Sequence, residues 1–142
     1  PIVYGRSEVL YEEEDIALLA VGSMVKVAVE VRRQLKEKGY SCSLINARFV
    51  KPIDEEMLGQ VCKDHKLLVT MEENVLSGGY GEKVRDYTDS LKTRAQVLNI
   101  AIPDEYVEHG NVDLLKQEIG IDADSVVKKV LTKYITLLER KV

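Results

Sequence analysis

Lys66-Leu-Leu-Val-Thr-Met-Glu-Glu-Asn-Val-Leu-Ser-Gly-Gly-Tyr-Gly-Glu82 is the stretch whose reading decides the fold. It opens on a short apolar run, Leu67-Leu68-Val69, bounded on its N-terminal side by Lys63-Asp64-His65-Lys66. That length and those polar flanks suit a buried strand better than a helix. Glu72, Glu73 and Asn74 fall where such a strand ends. A turn built on Ser77, Gly78, Gly79 and Gly81 follows, and Glu82-Lys83-Val84-Arg85-Asp86-Tyr87 reads as the start of a helix. Functional sites of α/β proteins gather at the carboxyl ends of strands. The functional edge is therefore expected here.

Upstream, Arg6 to Leu10 alternate weakly, Glu12-Glu13-Glu14-Asp15 interrupt, and Ile16 to Val21 form a continuous apolar run. This predicts an edge strand, an acidic turn and a central buried strand, paired as a hairpin. Gly22-Ser23 ends that strand, with Ser23 a candidate helix cap. Met24, Ala28, Val31 and Leu35 then recur at helical spacing, and Gly39 supplies a left-handed stop. Ser41 to Ala47 is the next strand, and Pro52 marks the crossover after it. Asp54 caps a helix over 55–64 whose inner face carries Met57, Leu58, Val61 and Cys62.

Downstream, the helix from Glu82 to Leu91 turns Val84, Tyr87 and Leu91 inward, and Ala95 to Ile102 is the last strand. A polar loop from Pro103 to Asn111 includes His109 and leads to a short helix, Leu114 to Ile119. Asp122 caps a terminal helix with a wide apolar face, Val126 through Leu138. Strand and helix alternate from Ile16 to Ile102, which argues a three-layer α/β domain around a mostly parallel sheet. The N-terminal strand is its antiparallel edge.

Length and composition agree with one domain: 142 residues, 45% hydrophobic and 31% charged. A net charge of −4 leaves no broad footprint for nucleic acid or an anionic membrane. No apolar run approaches the roughly 20 residues of a membrane span. Cys42 and Cys62 match neither a redox pair nor a zinc-ligand spacing and read as two partly buried, reduced thiols of a cytoplasmic protein. The chain opens on Pro1 rather than methionine, as a processed or excised piece would.

Each candidate for chemistry has a plain structural reading beside it. Glu72 and Glu73 are paired carboxylates, but neighbours on a strand point to opposite faces and need not cooperate. Ser77-Gly78-Gly79-Tyr80-Gly81 could cradle an anion at a helix N-terminus, yet its spacing matches no phosphate-binding loop and a tight strand-to-helix turn explains it. His65 reads as a surface histidine at a helix–strand junction. His109 shares its loop with Asp104, Glu105 and Glu108. Arg48 and Lys51 follow a strand end and could meet an acidic partner or form a surface ion pair. From the residues alone, this is an α/β domain not self-sufficient in any chemistry.

Four stretches taken in order resemble a known family. They are Leu19-Ala-Val-Gly-Ser-Met-Val25, Ile45-Asn-Ala-Arg-Phe-Val-Lys-Pro-Ile-Asp54, Val69-Thr-Met-Glu-Glu-Asn74 with Gly78-Gly-Tyr-Gly81, and Ile102-Pro-Asp104 with His109-Gly110. Together they resemble the C-terminal domain of the 1-deoxy-D-xylulose-5-phosphate synthases, transketolase-like enzymes, from about Gly5 onward. The resemblance implies a mixed five-stranded sheet with one antiparallel edge strand. It also implies a three-domain parent, of which residues 1–5 are a linker remnant. Such a parent condenses pyruvate with glyceraldehyde 3-phosphate, releasing carbon dioxide, and uses thiamine diphosphate and Mg2+. In this family the first domain holds diphosphate and metal through a Gly-Asp-Gly motif, absent here, and the second domain carries the cofactor-activating glutamate. No catalytic, cofactor or metal residue is therefore carried over. The resemblance leaves an interface role toward the other domains and a second subunit of a homodimer, with Arg48, Glu72, Glu73, Gly78, Gly79, Gly81 and His109 as candidates. Two rivals stand beside it. One is the same domain of transketolase or of a 2-oxo acid dehydrogenase β-subunit; the other is a free-standing regulatory module binding an anion at the Gly78–Glu82 turn.

Overall fold

Strand β2 (Asp15–Ala20) is flanked on both sides by parallel neighbours, β3 (Cys42–Asn46) and β4 (His65–Val75). Its five residues from Ile16 to Ala20 are wholly buried, as an uninterrupted apolar run with both faces covered requires. The computed structural model describes residues 5–48, 52–75, 78–102 and 120–140. Within them the sheet has five strands in the order β1-β3-β2-β4-β5, where β1 is Glu8–Tyr11 and β5 is Gln96–Ile102. Only the β1–β3 pair is antiparallel. The mostly parallel sheet with one antiparallel edge strand is as expected.

Alternation along each strand sorts side chains into two cores. Ile16, Leu18 and Ala20 of β2 join Leu67, Val69 and Met71 of β4 beneath α1 (Met24–Glu37) and α4 (Ala123–Glu139). Ala17, Leu19, Ile45 and Leu68 face α2 (Glu55–Asp64) and α3 (Tyr80–Ser90) on the opposite side. Helix ends follow the residues that stop them. Gly39, at φ +92°, closes α1 as Tyr40 N donates to Leu35 O and Gly39 N to Lys36 O, a six-residue helix-stop motif. Asp54 Oδ1 accepts from Met57 N at 3.1 Å, and Asp122 Oδ2 from Ser125 N at 3.3 Å. No helix among the described residues is long and apolar enough to cross a membrane.

Three expectations change. First, β1 and β2 do not form a hairpin: both flanks of β2 are occupied by β3 and β4, and β1 pairs with the outer edge of β3. The acidic turn instead carries the chain across the start of β3, where Glu13 N and Glu14 N donate to Ser43 Oγ and Ser41 Oγ at 2.7 and 2.9 Å. Arg32 pins it there, bonding the Glu13 carboxylate and Cys42 O and lying 3.9 Å from the centre of the Tyr11 ring. Second, Ser23 occupies the cap position of α1 without a side-chain bond, since Met24 N and Val25 N are met by Val21 O and Gly22 O. Third, α3 begins at Tyr80 rather than Glu82, while β4 runs to Val75, just past the expected strand end at Glu72–Asn74. The predicted Pro103–Asn111 loop and Leu114–Ile119 helix lie outside the described residues.

Asp54 also accepts from Ser7 N through Oδ2 at 2.8 Å, so one carboxylate starts α2 and fixes the approach to β1. Replacing it by alanine should lower stability by about 1–2 kcal/mol. The check is a fall in urea midpoint at unchanged slope. An unaltered midpoint would mean the cap carries no weight.

Candidate functional site

Thr70 and Glu72 follow Leu68 at steps of two along β4, so all three point toward α2 and α3. A carboxylate therefore enters a largely apolar layer. Glu72 is completely buried. Its Oε1 accepts from Tyr80 N at 3.0 Å and its Oε2 from Gly81 N at 2.6 Å. These are the first two amides of α3, which no intrahelical carbonyl can satisfy. The cap residue, Gly79, has no side chain with which to meet them. Glu72 thus supplies from a strand what a serine or aspartate cap supplies from the chain itself, and its charge faces the positive end of the helix.

A second polar group sits one strand over. Thr70 Oγ1 and the Asn99 side-chain amide lie 2.7 Å apart. The amide orientation that satisfies both of its ends has its nitrogen donating to Thr70 Oγ1 and to Gly81 O at 3.2 Å, and its oxygen accepting from Arg85 Nε at 3.3 Å. Arg85 Nη2 also donates to Val97 O at 2.9 Å. Gly81 lies directly over this pair: a Cβ there would stand 2.7 Å from Thr70 Oγ1 and 2.8 Å from the Asn99 side-chain amide. No side chain fits, so this glycine is set by close approach, not by its dihedral angles. Gly78 is the one residue of the described turn with positive φ, +73°, while Gly79 is extended at φ −82° and ψ −177°.

Burial raises the Glu72 pKa above the usual carboxylate range, against the downward pull of the Gly81 and Tyr80 amides and of the Lys83 charge. The Tyr80 phenol, nine-tenths buried or more and without a hydrogen-bond partner, is raised by burial and by the nearby charges of Asp54 and Glu72. Both thiols are buried; desolvation pushes Cys42 up to about 12 and raises Cys62 as well, which leaves neither a ready nucleophile.

Glu72, Gly79 and Gly81 meet at one point, with Gly78 leading into it. The other candidates stand apart. Glu73 is half-buried and, by strand alternation, directed away from Glu72. Arg48 follows β3, across β2 from this point, and pairs with Glu8 of β1 at 2.7 Å. His109 and Lys51 lie outside the described residues. His65 is not a surface group. It is buried, its Nδ1–H donating to Val61 O at 2.7 Å and its Nε2 accepting from Ser43 Oγ at 2.8 Å, while Ser43 Oγ accepts from Glu13 N. That chain of bonds joins α2, β3 and β4. Sequence reading missed Tyr80, Thr70, Asn99 and Arg85. The available signal was phase: Thr70 and Asn99 are polar residues on the core-facing side of their strands.

Comparison with known proteins adds the following. Residues 5–126 match the family model described as transketolase, C-terminal domain. The chain is 50% identical over 130 residues to 1-deoxy-D-xylulose-5-phosphate synthase of Lachnoclostridium phytofermentans, spanning 91% of this chain and 21% of that protein. To the synthase of Clostridium tetani it is 39% identical over 127 residues, 89% of this chain and 21% of the relative. Among solved structures, a split-gene transketolase described as an inactive beta4 tetramer superposes with a TM-score of 0.87 at 28% identity, over 96% of this chain and 44% of that one. Transketolase from Campylobacter jejuni, at 18% identity and a TM-score of 0.65 over 93% of this chain and 19% of its own, shares the fold.

Glu72→Gln keeps the shape but sets an NH2 against one of the two buried helix amides, which loses its acceptor. A loss of about 1–3 kcal/mol is expected. Because the folded-state pKa is raised, the contribution of Glu72 is fully present below about pH 4.5 and declines as pH rises through the folded value. The penalty of the variant should therefore be larger at pH 4 than at pH 8, as chemical denaturation at the two pH values would show. A penalty that grows with pH would reverse the assignment. Gly81→Ala should destabilise by about 1–3 kcal/mol through overpacking on Thr70 and Asn99, and a neutral result would refute the close approach.

Proposed function

The chain belongs to the transketolase C-terminal domain family, and on that premise we propose that it is the C-terminal domain of a 1-deoxy-D-xylulose-5-phosphate synthase, serving assembly rather than chemistry. The chain spans about a fifth of the length of the curated relatives it matches, so the activity proposed is that of a larger parent. That parent condenses pyruvate with glyceraldehyde 3-phosphate in the cytoplasm, releases carbon dioxide, and feeds isoprenoid, thiamine and pyridoxal biosynthesis. It acts as a homodimer of three-domain chains.

The cofactors of that reaction, thiamine diphosphate and Mg2+, find no fit among the described residues. Among the described residues no three His, Cys, Asp or Glu side chains converge to hold a metal ion. The sequence lacks Gly-Asp-Gly, and the helix amides that could take a diphosphate already meet Glu72. No catalytic step is assigned to this chain.

The single observation that carries the supporting role is the occupation of the α3 N-terminus by Glu72. In a doubly wound sheet that terminus is a natural anion site. Filled from within, it is a rigid corner instead. The rival reading of an anion-binding module at the Gly78–Glu82 turn loses its first two donors to the same carboxylate. Identity of 50% to a synthase favours that parent over a transketolase, for which the superposed split-gene chain gives 28%. In the proposed role Arg48, Glu73, Gly78 and His109 are the candidates for contact with the other domains, and Glu72, Gly79 and Gly81 hold the shape of the α3 corner.

The test uses the complete gene product with pyruvate, glyceraldehyde 3-phosphate, thiamine diphosphate and Mg2+, and the 142-residue chain alone beside it. Deoxyxylulose phosphate from the former and none from the latter is the expected outcome. Product from the short chain alone would overturn the supporting role, and no product from the complete protein would overturn the choice of parent.

A further inference from the structure

The β1 flank of the sheet exposes apolar side chains among charged neighbours of α1 and α2. Six large hydrophobic side chains are exposed among the described residues, and three of them, Val9, Leu10 and Tyr11, belong to this four-residue strand. Val29, a fourth, lines a cleft of about 370 Å³ with Tyr11 on the α1 side of β1. On the α2 side, Val9, Ile45 and Met57 help line another cleft, of about 290 Å³. The edge strand is thus a ridge with a hollow on each side. Its backbone makes a poor template for strand addition, since β1 is short and its register against β3 breaks between Val9 and Tyr11. What the flank offers is side-chain packing.

The approach to this ridge is held in place. Gly5 takes φ +75°, with Pro52 Cγ 3.5 Å from where its Cβ would be. Arg6 pairs with Glu56 at 2.7 Å, and Ser7 N donates to Asp54 at 2.8 Å. Whatever precedes residue 5 in the parent is therefore delivered to the start of α2, beside β1. A neighbour joined to the same polypeptide meets the ridge intramolecularly, an advantage that a free partner lacks.

We propose that the exposed β1 ridge, Val9, Leu10 and Tyr11 with Val29 beside it, is the surface on which the preceding part of the same polypeptide packs. This inference rests on the reading of the chain as the C-terminal domain of a longer synthase, and it names the partner of that domain as a neighbour in cis. The flank stays open in the isolated chain and closes in the parent.

Hydrogen–deuterium exchange over residues 8–11 tests it, measured in the complete parent and in the 142-residue chain at matched pH. Exchange at least tenfold slower in the parent is expected, independent of protein concentration. A Leu10→Lys parent should regain fast exchange there, while the same substitution in the short chain should leave its melting temperature unchanged. Equal exchange in parent and short chain would overturn the proposal. So would protection in the short chain that rises with its concentration and is lost in Leu10→Lys, because the occupant would then be a second copy. Product formation by the unsubstituted parent judges the synthase reading separately: an active synthase whose β1 exchanges freely defeats this proposal alone.

Discussion

A carboxylate buried inside an apolar layer must find donors or neutralise itself, and Glu72 finds the first two amides of α3. Charge-assisted bonds to backbone N–H groups are among the stronger hydrogen bonds available to a protein, and here the helix dipole has the matching sign. The requirement is mutual. Tyr80 N and Gly81 N are also buried and have no intrahelical partner, so withdrawing the carboxylate strands both sides. Geometry tightens the constraint further. Glu72 reaches Gly81 N only because α3 comes close to β4 and β5, and it comes close only because Gly81 lacks the Cβ that would strike Thr70 and Asn99. One missing side chain and one buried charge describe the same approach from two sides.

That constraint explains which parts of the structure were legible in the sequence. Local signals read well: the apolar runs of β2 and β4, the caps at Asp54 and Asp122 and the stop at Gly39 each act within a few residues of themselves. Errors arose wherever a partner lay far along the chain. Nothing near β1 says that its neighbour is β3, because that choice is made by β4 occupying the other flank of β2. His65, set among Lys63, Asp64 and Lys66, looks solvated until Ser43 and Val61 are brought to its two nitrogens. The start of α3 was hidden for a related reason. Gly78, Gly79 and Gly81 read as turn, and no serine, threonine, aspartate or asparagine stands at the cap position. A helix without a local cap was the clue that a distant group supplies one.

The candidate set divides along the same line. Glu72, Gly79 and Gly81 were chosen as a possible contact surface and prove to be buried, meeting one another or the sheet. Arg48 is half-buried and engaged with Glu8 of the adjacent edge strand. Strand carboxyl ends concentrate function in open α/β sheets because loops and helix N-termini leave donors and acceptors unsatisfied there. At the end of β4 the first helix donors are satisfied internally, so the usual inference from position to ligand fails for a stated reason.

What remains for such a domain to offer is shape and apolar area, and these are displaced to the other end of the strand order. The β1 edge cannot be blunted by a central strand's neighbours, and its four residues carry more apolar surface than an edge strand needs for its single pairing with β3. The internal polar network and the open flank are complementary consequences of one sequence. Thr70, Glu72, Asn99 and Arg85 make the α3 side rigid and self-contained. A rigid sheet with one apolar rim can be held from outside without rearranging, which is the property that a supporting domain requires and a ligand-gated one does not.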